Sequence, residues 1–327
     1  MDVAKRAGVG RRTVSNVVIG FPHVSEEVRV RVLRAIDELG YVPNRAAQHL
    51  RTGRSGIIAL TVPELGVGYF GELANLIIEE AAARGAGTIV AQTHGARARE
   101  LAEIERLLAL QPDGLITSPL GLTSHDIDSI TQRTNVGIIG EHFAGDAIAA
   151  TAIDNAAAAS DVVAHLLDTG RRRVAFIGGA GVPPRFDALR RAGYLSAIAA
   201  HGIDPITDIT VSDFTSSAGL EAGGRVAARI ASGGSIDAVF CVTDEVAIGV
   251  IRGLHDADVR VPSDVAVAGF DDVPEGRYST PRLTTVSPDK KAIARRAVDA
   301  ALGGTGSTDA IGYSLAVRES TAVSPPA

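Results

Sequence analysis

The sequence predicts an α/β protein with a small three-helix head and a body of two lobes, each a parallel sheet covered by helices. Three observations predict it. The first 40 residues hold three short helical patterns with a glycine-bearing turn between the first two. From Gly56 onward, apolar runs of strand length alternate with helical stretches, and this alternation occurs in two successive series. The charge divides at the same place: residues 1–55 carry ten basic and five acidic side chains, whereas the rest of the chain is acidic.

The head follows from local pattern. DVAKRAG reads as a helix with Val3, Ala4 and Ala7 on one side, and Gly8-Val9-Gly10 reads as a turn. RRTVSNVV reads as a second helix with Val14, Val17 and Val18 inward. Ser25 stands as an N-cap, with Glu26 and Glu27 favourable in the first turn of a third helix. Val28, Val32, Leu33, Ile36 and Leu39 follow at helical spacing, and Gly40 stops it. Such a set is a helix-turn-helix unit, whose second helix lies in the DNA major groove. Its outward residues are Arg11, Arg12, Ser15 and Asn16. Arginine can bond guanine N7 and O6, and asparagine can pair with the adenine edge. Thr13 and Ser15 are candidate phosphate contacts. The bland alternative is a solvated polar helix; the coincidence of turn, valine spacing and basic face weighs against it.

A Pro stop at Pro43 and an Asn cap at Asn44 open a segment of about two helical turns ending at Leu50, followed by the linker RTGRSG. A helix this short forms only against a partner. Leu50 is placed to wedge between base steps in a minor groove.

In the body, GIIALTV, GTIVAQT, DGLITSP and NVGIIG are predicted strands, with helices at roughly 70–84, 96–110 and 123–133. RVAFIGG, ITDITV, DAVFCV and DVAVAGF form the second series, with helices near 185–201, 215–232 and 244–257. Ligands of such sheets bind beyond the carboxyl ends of the strands, so the cleft between lobes is the expected site.

Composition excludes several classes. The chain has 327 residues, 46% hydrophobic and 21% charged, with a formal net charge of −6. The one cysteine, Cys241, rules out a disulfide framework and a cysteine zinc site, and reads as a buried small hydrophobe. No apolar run approaches the ~18 residues of a membrane helix, and the N-terminus has no apolar signal core, so a cytoplasmic protein is expected. Gly66-Val67-Gly68-Tyr69-Phe70-Gly71 satisfies GxGxxG, but the next strand ends in Gln92, Thr93 and His94 where a ribose-binding acid belongs; it reads as a loop leading into a helix. Gly178-Gly179-Ala180-Gly181 reads as a loop too. No catalytic motif or HxxxH pair occurs, so neither an enzyme nor a cofactor is expected. Asp271-Asp272 has no third metal ligand in sight and reads as a ligand-binding carboxylate.

DVAKRAGVGRRTVSNVV, followed by HVSEEVRVRVLRAIDELGYVPNRAAQHLRTGRS, resembles the head of the LacI family of bacterial transcription regulators. The likeness runs on through VPSDVAVAGFDD and YSTPRLTTV. It implies a head at 1–42, a hinge helix and linker at 43–55, and a periplasmic-binding-protein-like body at 56–327. The N-lobe would take about 56–154 plus 288–305, and the C-lobe about 155–287 plus 306–320. It further implies a repressor that binds a palindromic double-stranded operator as a homodimer, away from any membrane, under control of a small molecule in the interlobe cleft.

By resemblance, Arg11, Arg12 and Asn16 read bases, and Asn44, Arg45, Ala47 and Leu50 are the hinge-helix contacts. Arg190 in LRRAGY and Asp271 in GFDD grip the effector. That pairing suits polyhydroxyl groups or a purine edge, with a sugar the first expectation. Phe214, Tyr69 and Phe70 hold the aromatic places, although core packing is the equal alternative for Phe70 and Phe214. Thr243 stands where many members carry Asn, and Asp244 is either a ligand contact or a helix cap. The family's carboxylate after NVGIIG falls among Gly140, Glu141 and His142.

Two further departures concern the head. Its first helix begins at Asp2 without a capping residue, so either the chain starts further upstream or the first turn is weaker by about 1 kcal/mol. Gly10 replaces the usual serine cap, at a cost of only a few tenths of a kcal/mol. The rival reading is a solute-binding protein of the same body fold, which would need an export signal and no DNA head.

Overall fold

The computed structural model describes residues 2–18, 21–41, 54–141, 150–180, 185–305 and 309–322. The chain forms two compact units, Met1–Ser55 and Gly56–Ala327.

In the first unit, α1 (Asp2–Ala7), α2 (Arg11–Val18) and α3 (Glu26–Glu38) enclose a core of Val3, Ala7, Val14, Val17, Val32 and Ala35. Gly8 takes φ +68°, a backbone a side chain would strain, and this turns the chain between α1 and α2. The Gly10 carbonyl then accepts from Thr13 N and Val14 N to start α2. Ser25 does hold the N-cap position of α3, but its side chain makes no capping bond. Leu33 and Leu39, read as part of the inward stripe, are instead half exposed, because three short helices enclose room for only one row of α3. The hinge residues Asn44, Arg45, Ala47 and Leu50 lie outside the described residues.

The second unit holds two sheets. In chain order its elements begin β1 (Ile57–Val62), α4 (Gly68–Ala83), β2 (Gly87–Gln92), α5 (Arg97–Leu108), β3 (Gly114–Thr117), α6 (Ser124–Thr131), β4 (Val136–Ile139) and β5 (Ala150–Thr151). Then come α7 (Asn155–Asp168), β6 (Val174–Gly179), α8 (Arg185–Ala200), β7 (Thr210–Val211), α9 (Ser216–Ala231), β8 (Ala238–Cys241), α10 (Asp244–Asp256) and β9 (Ala266–Phe270). The last are α11 (Pro274–Tyr278), β10 (Thr284–Pro288), α12 (Lys290–Ala301) and β11 (Tyr313–Ala316).

One sheet runs β2-β1-β3-β4-β5, all parallel. The other runs β11-β10-β9-β8-β6-β7 and is parallel except for the β10–β11 pair. The core strands are wholly buried: β3, β8 and β9 have no exposed residue, as expected of parallel strands covered on both faces. After β10 the chain leaves the second sheet, and α12 packs on the first. A Cβ at Gly114 or Gly137 would collide with the backbone of Ala301 or Ala297 in α12. The chain then returns as β11.

Two readings need correction. Gly178 and Gly179, read both as the end of the strand RVAFIGG and as the start of a loop, are the end of β6. They are glycines because Phe176, Asp187 and Phe214 crowd the strand; a Cβ at Gly178 would lie 2.5 Å from the Phe176 ring. Of ITDITV only Thr210–Val211 is strand. Cys241 is buried, and burial raises its thiol pKa well above the ordinary range. Among the described residues, no helix is long and apolar enough to cross a membrane.

Candidate effector cleft and DNA-reading face

On the head, Arg11 and Arg12 are exposed at the start of α2, while Thr13, Ser15 and Asn16 are partly exposed. Val14 and Val17 anchor the opposite side of the same helix in the core. The helix thus presents two guanidinium groups and short polar side chains on a fixed backbone, the arrangement that major-groove reading requires.

The cleft site is built around Arg190 by residues of both lobes. Arg190, in α8, is only 7% exposed. Its Nε donates to Asn155 Oδ1 at 2.8 Å, and one Nη donates to the Val242 carbonyl at 2.6 Å. The other Nη donates to Asp271 Oδ1 at 3.0 Å, and the first Nη also makes a longer contact of 3.5 Å to Oδ2. The guanidinium carbon sits 3.5 Å from the Phe270 ring centroid. Arg190 is therefore held in place by almost all of its own donors.

Asp271 reaches it because the chain turns sharply after β9: Asp271 has φ +110° and Asp272 φ +49°. Left-handed backbone at two successive non-glycine residues is uncommon and concentrates where a side chain must be aimed. The two neighbours go to different partners. Asp272 is bound by Arg318 Nη at 2.6 Å, Arg277 Nη at 3.0 Å and Ser287 Oγ at 2.8 Å, so it is a structural ion pair and not a ligand group.

Asn155 continues the chain of contacts into the first lobe. It opens α7, behind the Asp154 cap, and donates to Glu141 Oε2 at 3.2 Å. Glu141, Asn155, Arg190 and Asp271 line a cavity of about 30 Å³ together with Tyr69, Thr151, Ile153 and Ile293. That volume holds about one water, so the side chains now bond one another across the cleft. Burial pushes the carboxyls of Glu141 and Asp271 up, against the opposing pull of Arg190. The Tyr69 phenol is raised by burial and by Asp271 and Glu141.

The other expected cleft residues divide. Tyr69 lines the cavity; Phe70 does not, and packs on the first-lobe core with its ring 5.3 Å from that of Tyr69. Phe214 meets Phe186 edge-on at 5.0 Å, and Phe186 in turn lies 5.2 Å from the Arg190 guanidinium. Thr243 is the N-cap of α10, accepting from Val246 N. Asp244 is neither cap nor cleft group. It is wholly buried, its oxygens taken by Thr285 Oγ1 at 2.6 Å and Val273 N at 2.9 Å, and burial raises its pKa strongly. His142 lies outside the described residues.

Asn155 is absent from the residues singled out by motif, although its signal is in the sequence. Asn155, Ala158, Ala159, Val162, Val163, Leu166 and Leu167 recur at helical spacing behind Asp154, a good cap. Among the described residues, no cluster of three or more His, Cys, Asp or Glu could hold a metal ion.

Comparison with known proteins identifies both parts of the chain. Residues 1–44 match bacterial regulatory proteins of the lacI family, and residues 163–321 match a periplasmic binding protein-like domain. Catabolite control protein A of Priestia megaterium is 31% identical over 288 residues, covering 87% of this chain and 86% of that one. A lac repressor dimer bound to operator and the anti-inducer ONPF is similar in structure, with TM-score 0.83 and 26% identity over 98% of both chains. A CelR–cellobiose complex aligns with TM-score 0.66 and 27% identity, again over 98% of both chains. The head match decides against a solute-binding protein. With a helix-turn-helix head and, after it in the sequence, a two-lobed α/β body, the chain belongs to the LacI family of DNA-binding transcription regulators.

Proposed function

We propose that this regulator is a cytoplasmic repressor that binds a palindromic operator as a homodimer and changes its operator affinity when a sugar enters the interlobe cleft. The division of labour follows the chain: residues 1–42 read DNA, 43–55 form the hinge, and 56–327 bind effector and dimerise. Two heads then meet half-sites about one helical turn apart, ~34–36 Å. Arg11, Arg12 and Asn16 contact bases, and Thr13 and Ser15 contact phosphate.

The observation that carries the effector reading is the Glu141–Asn155–Arg190–Asp271 chain of hydrogen bonds. It is buried, polar and shared between lobes, and its acceptors outnumber its unused donors. A sugar supplies hydroxyls that accept and donate at once, and can replace these internal bonds one for one. Cellobiose in the CelR complex is consistent with a ligand of this kind. Tyr69 offers a ring face for the apolar side of the sugar, and Phe214 backs the cleft through Phe186. Because the cavity holds about one water, the effector enters by parting the lobes. Unequal affinity for parted and closed forms is what couples it to the operator.

Fluorescence anisotropy with palindromic DNA from upstream of the gene, at several salt concentrations, tests this directly. Salt-sensitive, sequence-selective binding that one sugar alters is the expected result. Selective binding altered only by a nucleoside would replace the sugar by a purine, and binding that no small molecule changes would sink the effector reading.

A further inference from the structure

The helix that carries Tyr69 into the cleft is not capped by its own lobe. Val67 holds the N-cap position of α4 with no side-chain acceptor, and the first turn has no acidic residue. The first N–H groups of a helix lack partners within it and carry the positive end of its dipole. Here the partner comes from the other lobe: Glu245, in the first turn of α10, accepts from Gly68 N at 3.0 Å. Its second oxygen lies 3.5 Å from Ser216 Oγ.

Gly68 marks how close the lobes come. A Cβ there would stand 2.7 Å from Glu275 Oε2, 3.2 Å from Val273 Cβ and 3.3 Å from Glu245 Oε1, all second-lobe atoms. One turn further along α4, Glu72 pairs with Lys290. Lys290 Nζ also donates to the Asp272 carbonyl at 2.9 Å, and Arg277 of α11 lies 3.8 Å from Glu72. The GxGxxG-like stretch thus has a use other than nucleotide binding: its second glycine is where the lobes touch.

We propose that Glu245 is a clasp between the lobes, capping α4 from the other lobe and thereby holding Tyr69 in the cavity beside Arg190 and Asp271. Parting the lobes uncaps the helix, and closing them restores the cap. Glu245 is therefore a positioning residue for the effector response, although it does not line the cavity. Only this last step rests on the effector reading above; the clasp itself is measured without a ligand.

The test uses full-length protein with Glu245→Ala and Glu245→Gln. Hydrogen exchange is followed by mass spectrometry, and interlobe distance by spin labels at Arg99→Cys and Asp204→Cys, the native Cys241 being buried. Glu245→Ala should speed exchange at residues 68–71 by roughly tenfold, leave residues 155–168 at their wild-type rate, and lengthen the label distance. Glu245→Gln keeps an acceptor oxygen and should stay near wild type. Unchanged exchange at 68–71, equal acceleration at 155–168, or an unaltered distance in Glu245→Ala would each overturn the clasp. Once a responsive sugar is found, Glu245→Ala should alter its apparent affinity roughly tenfold by the same coupling. Failure of every sugar with the wild type would defeat the effector reading alone, since the exchange and distance data judge the clasp independently.

Discussion

Arg11 and Arg12 of the head and Arg190 of the cleft are the same residue under opposite conditions. The head pair is exposed and, among the described residues, engaged in no ion pair. Arg190 is buried, stacked on Phe270, and bonded to Asn155, Val242 and Asp271. An exposed guanidinium waits for a partner and contributes little to folding. A buried one must have its partners built in, because an unpaired buried charge is destabilising by several kcal/mol. Function on the head is therefore separable from stability, whereas function in the cleft is entangled with it.

Removing the cleft arginine should do the most damage. Arg190→Ala strands Asp271 and should cost about 3–5 kcal/mol in urea unfolding. Arg190→Ala/Asp271→Asn should cost less than the single variant; an equal or larger loss would mean that the pair is not the source of the effect. Whatever folds should still bind operator but ignore effector.

The head should behave the other way. Arg12→Ala is expected to weaken operator binding by about 1–3 kcal/mol and relax one base position, with the unfolding midpoint unmoved. A matching drop in stability would blur the contrast between the regions.

Thr243 offers a smaller test. As the α10 cap, Thr243→Ala should lower stability by about 1 kcal/mol, while Thr243→Ser should retain most of it. Loss of effector affinity in Thr243→Ala without loss of stability would return Thr243 to the ligand.

The smallest effect concerns pH. Burial raises the Glu141 carboxyl, so its folded pKa lies above the unfolded one. Its contribution is then most favourable below the unfolded pKa, near 4.3, and is lost as pH rises through the folded pKa. Glu141→Gln removes that loss. The variant's Tm should gain on wild type from pH 5 to pH 8, and a constant offset across that range would contradict the assignment.

How much of this was legible in the sequence differs by region. The head core of Val3, Ala7, Val14, Val17 and Val32 follows from helical spacing, because three short helices leave few ways to bury their apolar sides. Leu33 and Leu39 fit the same spacing yet face solvent, since spacing selects a stripe but not its width. In the body, the alternation of apolar runs and helices announced a parallel α/β architecture, and α4, α5, α8, α9 and α10 fall within a few residues of expectation. The antiparallel β11 and the return of α12 to the first sheet are long-range pairings that no local pattern encodes.

The cleft divides along the same line. Residue identity and family motif pointed to Arg190 and Asp271, and local rules suffice to place a guanidinium on one helix and a carboxylate after one strand. Only the tertiary structure separated Asp271 from Asp272, since both are acids in the same turn and differ in which cations stand near them. Only it joined Asn155 and Glu141 to Arg190, buried Asp244 beneath Thr285, and brought Glu245 to Gly68 across 177 residues. Periodicity and capping act over one or two turns of chain and are written in neighbouring residues. The environment of a buried charge is made by groups distant in sequence, and it exists only once the lobes have packed.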